Sequence, residues 1–123
     1  AGVNPSGVEL VRTEVRLKGP ILFDADDRIH IASDALITAL ARVLVAHPAI
    51  KLEIHAYADD TEPRERALKR SQRRAEAVRA FLVKHQVAEA RLTARGFGSA
   101  NPIADNASEL GRARNRRIEL PLR

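Results

Sequence analysis

Two carboxylates and an arginine, about fifteen residues apart, are the side chains best placed to bind a ligand. Asp59 and Asp60 end an alternating, strand-like segment, and Arg74 falls at the edge of the apolar stripe of the next predicted helix. A guanidinium partly removed from water needs a carboxylate partner. We therefore expect Asp59 or Asp60 to stand beside Arg74. Such a pair suits a zwitterion, for example an amino acid, and it would serve equally well as an internal salt bridge.

The segments that position these residues alternate between strand and helix. Strands are predicted over 8–17, 50–60, 91–98 and 116–122, and helices over 33–47 and 61–85, with Ser33 and Thr61 as their N-caps. The predicted stripes are Leu36, Ala39, Leu40, Val43 and Leu44 in the first helix and Leu68, Ser71, Ala75, Val78 and Leu82 in the second. The order β-α-β-α-β-β predicts an α+β two-layer sandwich, a mixed sheet with two helices packed on one face.

Composition and motifs argue against an enzyme. The 123 residues contain no cysteine, which excludes disulfides and thiol chemistry. No G-x-S-x-G motif or phosphate-binding loop is present, and the four histidines lack metal-ligand spacing. We predict no catalytic residue, no metal site and no cofactor.

The basic second helix makes nucleic acid a rival partner. The net charge is +5, and one helix carries Arg64, Arg66, Lys69, Arg70, Arg73, Arg74 and Arg79. However, the chain has three Phe, one Tyr and no Trp to stack on bases. The helical period turns Arg66, Lys69 and Arg73 toward solvent as ordinary surface charges. We predict no nucleic-acid partner; binding to nucleic acid would instead weaken steeply with added salt.

One acidic segment is interpreted as a turn and not as a metal site. The acidic run Asp24, Asp26 and Asp27 resembles half of a calcium loop, but it lacks the glycine and the closing glutamate and is predicted to be a solvated turn.

No apolar run approaches the ~20 residues of a membrane span, and no signal peptide opens the chain. Residues 1–12 are predicted to be a leader or a pairing strand, and residues 13–123 the domain.

Four motifs in the same order resemble the OmpA-like C-terminal domain family over roughly residues 13–122. "LTARGFGSANP" and "GRARNRRIE" match R-L/V-x-x-x-G-x-G-x-x-x-P followed by G-R-x-x-N-R-R-V-E/D. "ILFDADD" is similar to the F-D-F-D-S strand end, "LEIHAYADD" to V-x-G-H-T-D, and "SQRRAEAVRAFL" to L-S-x-x-R-A-x-x-V-x-x-Y-L. The matching residues at the C-terminal end include Gly96, Gly98, Pro102, Gly111, Asn115, Arg116 and Arg117.

The resemblance implies noncovalent binding to peptidoglycan through the diaminopimelate residue of its stem peptide. By motif position, Asp59 would accept from the diaminopimelate ammonium and Arg74 would bind its carboxylate. Asp24, Asp26, Thr61 and Arg117 would be secondary contacts. The implied location is the periplasm of a Gram-negative envelope, with a membrane reached only through parts outside this chain. The cluster Arg112–Arg117 would then mainly lead into the last strand, with Arg116 and Arg117 alternating so that one packs toward the acidic loops and the other faces solvent.

Departures from the family pattern leave a second hypothesis open. Gly-His-Thr before the aspartate is Ala56-Tyr57-Ala58 here, the glycine three residues after it is Glu62, and a frequent asparagine and leucine of the helix are Ala67 and Arg70. The scaffold would in that case have lost diaminopimelate binding. It would act through contacts with envelope proteins or as a homodimer.

Overall fold

Alternating apolar and polar residues build five strands, which join into one mixed sheet. A computed structural model describes residues 7–123. The strands are β1 (Val8–Leu10), β2 (Glu14–Leu17), β3 (Leu52–Tyr57), β4 (Leu92–Gly98) and β5 (Ile118–Pro121), in the order β1-β2-β5-β3-β4. β3 and β4 run parallel, and the other neighbours are antiparallel. Because a parallel pair requires a crossover connection, a long helix joins β3 to β4.

The helices are α1 (Asp34–Ala46), α2 (Arg64–Lys84) and the short α3 (Glu109–Asn115). Together with the open sheet they form the predicted α+β two-layer sandwich, which confirms the fold class. Ser33 takes the predicted N-cap position of α1, but its hydroxyl accepts a hydrogen bond from the Leu22 amide at 2.8 Å and does not cap the helix. The prediction of Thr61 as the N-cap of α2 is wrong, because Pro63 takes that position. α2 begins after Pro63, whose φ of −54° suits a helix start.

Residues 8–17 form a hairpin, so the prediction of one continuous strand there is wrong. Val8 pairs with Leu17, Leu10 pairs with Val15, and the Val11 amide donates to the Glu14 carbonyl across the turn. Reversal buries Val8 and Val15 together in the core, a result that period-2 alternation cannot distinguish from a longer strand. Within the predicted leader 1–12, residues 8–10 pair with β2, and residues 1–6 lie outside the described part of the chain. The domain boundary at residue 13 stays a prediction.

The core lies between the sheet and the two long helices. α1 buries Ile37, Leu40, Ala41 and Leu44, β3 buries Leu52, Ile54 and Ala56, and α2 buries Ala67, Ser71, Ala75, Val78 and Leu82. The α2 stripe thus differs from the prediction at its first position. Leu68 is 48% exposed, and Ala67 is buried in its place.

Close approach of α2 to β4 explains this difference. A Cβ at Gly96 would lie 2.2 Å from the Gln72 amide nitrogen, so the helix backbone touches the strand. Ser71 also lies at this contact, and a Cβ at Gly98 would lie 3.2 Å from the Leu68 amide nitrogen. The helix backbone is thus too close to the strand for a large side chain between them, so Ala67 packs inward and Leu68 turns outward. The same contact closes the sheet edge, because the Gln72 side chain accepts from the Gly96 amide at 2.8 Å and donates to the Ala94 carbonyl at 3.3 Å.

Asn115, at the end of α3, organises the loop between β4 and α3. Its side chain is fully buried, and its Oδ1 accepts from the amides of Ile103 and Ala104 at 2.8 and 3.0 Å. Its Nδ2 donates to the Ala104 carbonyl and to the Asn106 side chain. The segment 112–117 is predicted to be mainly structural, and it is Asn115 that makes these loop-closing hydrogen bonds. Arg116 and Arg117 follow it directly in the chain.

Candidate functional site

A cleft of about 220 Å³ opens at the carboxyl end of β3. It is called the strand-end cleft here and is lined by Tyr57, Ala58, Asp59, Thr61, Glu62, Arg70, Ser71, Arg74 and Arg116. The loop after β3 supplies its carboxylates, and the first half of α2 and the residue after α3 supply its arginines. Asp59 and Arg74, the two residues singled out from the sequence, line this same cleft.

Asp59 is almost fully buried at the cleft wall. Its Oδ1 accepts from the Thr61 amide at 2.9 Å and from the Thr61 hydroxyl at 2.6 Å, and its Oδ2 accepts from Arg116 Nη1 at 2.5 Å. Burial raises the pKa of Asp59, but these hydrogen bonds outweigh burial and hold the pKa below its ordinary value. Asp59 is therefore an ionised carboxylate, and its three hydrogen bonds leave room for a further donor.

Arg74 does have a carboxylate partner, but the partner is Asp27 and not Asp59 or Asp60. Arg74 Nε donates to Asp27 Oδ1 at 2.9 Å, and the guanidinium carbon lies 4.9 Å from the centre of the Phe23 ring. The Arg74 side chain is 18% exposed. Its terminal amino groups make no hydrogen bond to other residues in the described range 7–123 and can bind a ligand.

Asp27 gathers three arginines of α2 around one buried carboxylate. In addition to Arg74, the Arg73 Nε and Nη2 atoms lie 3.0 and 2.8 Å from Asp27 Oδ2, and Arg70 Nε lies 3.8 Å from Oδ1. Burial raises the pKa of Asp27, but the hydrogen bonds from Arg74 and Arg73 hold it below its ordinary value. Arg73 faces solvent as predicted, with its side chain 56% exposed, but the pairing with Asp27 was not part of that prediction. Sequence reasoning missed Asp27, since nothing local distinguishes it from the other carboxylates of its turn.

Two departures from the family pattern meet at the cleft edge. Arg70 takes the position of a leucine in the family pattern, and Glu62 takes the position of a glycine. Arg70 Nε lies 2.9 Å from Glu62 Oε1. The contact is an ion pair without hydrogen-bond alignment, and the buried Arg70 Nε has no hydrogen-bond partner within residues 7–123. The two substituted charges thus offset each other, and both side chains line the cleft.

Arg116 and Arg117 alternate as expected, but neither simply faces solvent. Arg116 bridges Asp59 and Glu109, with 2.6 Å to the latter. Arg117 lies 3.9 Å above the Tyr57 ring and donates to Glu119 and to the Asn101 carbonyl. The sequence predicts that one of the two arginines packs toward the acidic loops but does not say which one. The structure shows that it is Arg116.

The secondary contacts fall into two groups. Thr61 lines the strand-end cleft beside Asp59, whereas Arg117 lines an adjoining groove of about 290 Å³ that shares Tyr57, Arg74 and Arg116 with the cleft. Asp24 and Asp26 line neither. Asp24 Oδ1 accepts from the amides of Asp26 and Arg28, so it holds the turn that carries Asp27.

Other kinds of site find little support in the described chain. Across residues 7–123, no group of three or more His, Cys, Asp or Glu side chains is arranged to hold a metal ion. No helix in this range is both long and apolar enough to cross a membrane. The basic face of α2 is partly neutralised by Asp27, Glu62 and Glu89, which pair with its arginines. That pairing leaves fewer free cations for phosphates.

Comparison with known proteins adds sequence and structural relatives. Outer membrane porin F of Pseudomonas fluorescens is 40% identical over 112 residues, which are 90% of this chain and 33% of that protein. Peptidoglycan-binding protein ArfA of Mycobacterium tuberculosis is 38% identical over 103 residues, 83% of this chain and 32% of that protein. The chain thus spans about a third of the length of these curated relatives.

The solved structures agree with the sequence relatives. The peptidoglycan-associated lipoprotein of Burkholderia pseudomallei superposes with a TM-score of 0.77 at 29% identity, over 92% of this chain and 91% of that one. The OmpA family model matches residues 23–116, a range that contains β3, α2, β4, α3 and the whole strand-end cleft. On this match, and in agreement with its motifs, the chain belongs to the OmpA family.

Proposed function

We propose that this domain binds peptidoglycan noncovalently and holds the diaminopimelate residue of the stem peptide in the strand-end cleft. The observation that carries the proposal is the presence of Asp59 and Arg74 in one small cleft, each with unused hydrogen-bonding capacity. Asp59 would accept from the ligand ammonium, and the terminal amino groups of Arg74 would donate to its carboxylate. Such a site binds and orients its ligand without catalysing a reaction.

The relatives support the cell wall as the partner. ArfA is a peptidoglycan-binding protein, and a cell wall anchor of the T6SS from Pseudomonas aeruginosa has a TM-score of 0.77 at 26% identity, over 94% of this chain and 85% of that chain. By this analogy the domain would work in the periplasm and attach an outer-membrane or envelope protein to the wall. The attachment to a membrane would lie in parts of the protein outside this chain.

Sedimentation with purified diaminopimelate-type peptidoglycan tests the proposal. We expect the wild-type chain to sediment and Asp59→Ala and Arg74→Ala to stay in solution, because each change removes one of the two charges that hold the zwitterion. Arg66→Ala is the matched control, since it removes one arginine from the exposed face of the same helix. Circular dichroism should report folded variants. Sedimentation of the folded Arg74→Ala variant at the wild-type level would contradict the proposal.

One observation favours the second candidate, an OmpA-type scaffold used for protein contacts or dimerisation. Asp59 and Arg74 already have protein partners, Arg116 and Asp27. If the wild-type chain fails to sediment with peptidoglycan, this candidate stands. Its own signature would be a dimer or a bound envelope protein that survives the Asp59→Ala and Arg74→Ala changes.

A further inference from the structure

Asp27 does not line the strand-end cleft, but it contacts Arg74 and Arg70, which do. The residue is 4% exposed and has a φ of +62°, in the left-handed region that side chains other than glycine rarely adopt. The turn that holds it is closed by a bridge between Phe23 and Ile29 and by the hydrogen bonds to Asp24. This local structure directs the Asp27 carboxylate at α2, where it meets the arginines.

The contact with Asp27 fixes which part of Arg74 is available. The hydrogen bond uses the Nε–H, and the face of the guanidinium lies against Phe23. Two independent contacts therefore restrain a side chain that has several rotatable bonds. The remaining donors are the two terminal amino groups, which form the planar fork that matches a carboxylate in a two-pronged contact.

We propose that Asp27 is a positioning residue that aims the terminal fork of Arg74, and that the cleft thereby selects the free carboxylate of diaminopimelate over its carboxamide. This inference rests on the proposed function. A carboxylate offers acceptors to both arms of the fork, whereas a carboxamide turns an NH₂ group toward one of them and leaves that donor without an acceptor. The selectivity comes from orientation, so it needs Asp27 even though Asp27 does not touch the ligand.

The charge around Asp27 does not oppose this role. Three arginines surround the one carboxylate, so the group as a whole remains positive toward an arriving anion. A competing role for Asp27, in which it occupies Arg74 and must be displaced, makes the opposite prediction, since removal of Asp27 would then tighten binding.

Binding of two stem tripeptides, one with the free carboxylate and one amidated at that group, tests the inference by calorimetry on the whole chain. We expect the wild-type chain to prefer the carboxylate by about tenfold, the scale of one lost charge-assisted contact. Asp27→Ala should reduce this preference to less than about threefold. Asp27→Asn keeps an oxygen for Arg74 Nε and should retain more of the preference. Glu89→Ala is the control, because it breaks the 3.3 Å ion pair with Arg79 elsewhere on α2.

A second measurement does not depend on ligand binding. The Nε–H signal of Arg74 in a ¹⁵N NMR spectrum should exchange slowly in the wild-type chain, weaken little in Asp27→Asn and broaden or vanish in Asp27→Ala. The inference would be overturned if Asp27→Ala binds more tightly or keeps the wild-type preference for the carboxylate. It would also be overturned if the wild-type chain shows no preference, or if its Arg74 Nε–H signal exchanges fast. If the wild-type chain binds neither peptide, the proposed function and the selectivity fail together, and the NMR signal still decides whether Asp27 positions Arg74.

Discussion

Replacing Asn115 with alanine should destabilise the domain more than any other change to a polar residue that we consider. The side chain is fully buried and makes four hydrogen bonds, three of them to the backbone of Ile103 and Ala104. Truncation leaves two amides and one carbonyl without their partner, at about 1 kcal/mol or more for each. We therefore expect Asn115→Ala to lower the free energy of unfolding by about 3–4 kcal/mol. That loss is a large part of the about 5–15 kcal/mol that stabilises a typical domain.

Urea denaturation at neutral pH, followed by circular dichroism, measures the effect. The midpoint should fall while the slope of the transition stays the same, because the same core unfolds. Asn106→Ala is the graded control, since it removes only the 2.7 Å hydrogen bond from Asn115 Nδ2 and should cost about 1 kcal/mol. The reasoning is refuted if Asn115→Ala loses less than about 1 kcal/mol or no more than Asn106→Ala.

Two further predictions concern packing and pH. Gly96→Ala places a Cβ 2.2 Å from the Gln72 amide nitrogen in α2. The change should therefore lower the free energy of unfolding by about 3 kcal/mol in the same urea assay. An unchanged free energy would mean that α2 can move away from β4. Asp27 and Asp59 have pKa values below their ordinary value, so the folded chain binds their protons less tightly than the unfolded chain does. Their contribution to stability is therefore complete above about pH 4 and is lost as the pH falls through the lowered pKa values. Urea denaturation between neutral and acid pH should show this loss, and Asp27→Asn should show a smaller one; equal losses in the two proteins would contradict the argument.

Most of the fold could be predicted from local patterns. The apolar periods of residues 33–47 and 61–85 identify α1 and α2, and the alternation over 50–60 identifies β3. The errors occur where a nonlocal contact decides. Leu68 has the right spacing for the core but is excluded by the close approach of α2 to Gly98.

The candidate site was predicted in part. The sequence positions of Asp59 and Arg74 predict that the two side chains lie near each other, and they do line one cleft. Their partners were not predicted, because Asp27 and Arg116 lie 47 and 57 residues away along the chain from Arg74 and Asp59, respectively. No periodic pattern connects residues at such separations.

The sequence by itself determined the two long helices, the strands β3, β4 and β5, the family and the two charges of the cleft, since apolar period, turn residues and motif order are properties of neighbouring residues. The tertiary structure decided which carboxylate meets which arginine. Asp27 holds Arg74 only because the turn after Phe23 packs on α2, and Arg116 reaches Asp59 only because Asn115 ends α3 beside the β3 loop. Short-range electrostatic contacts depend on distances of a few ångströms between remote segments, and only the packed fold sets those distances.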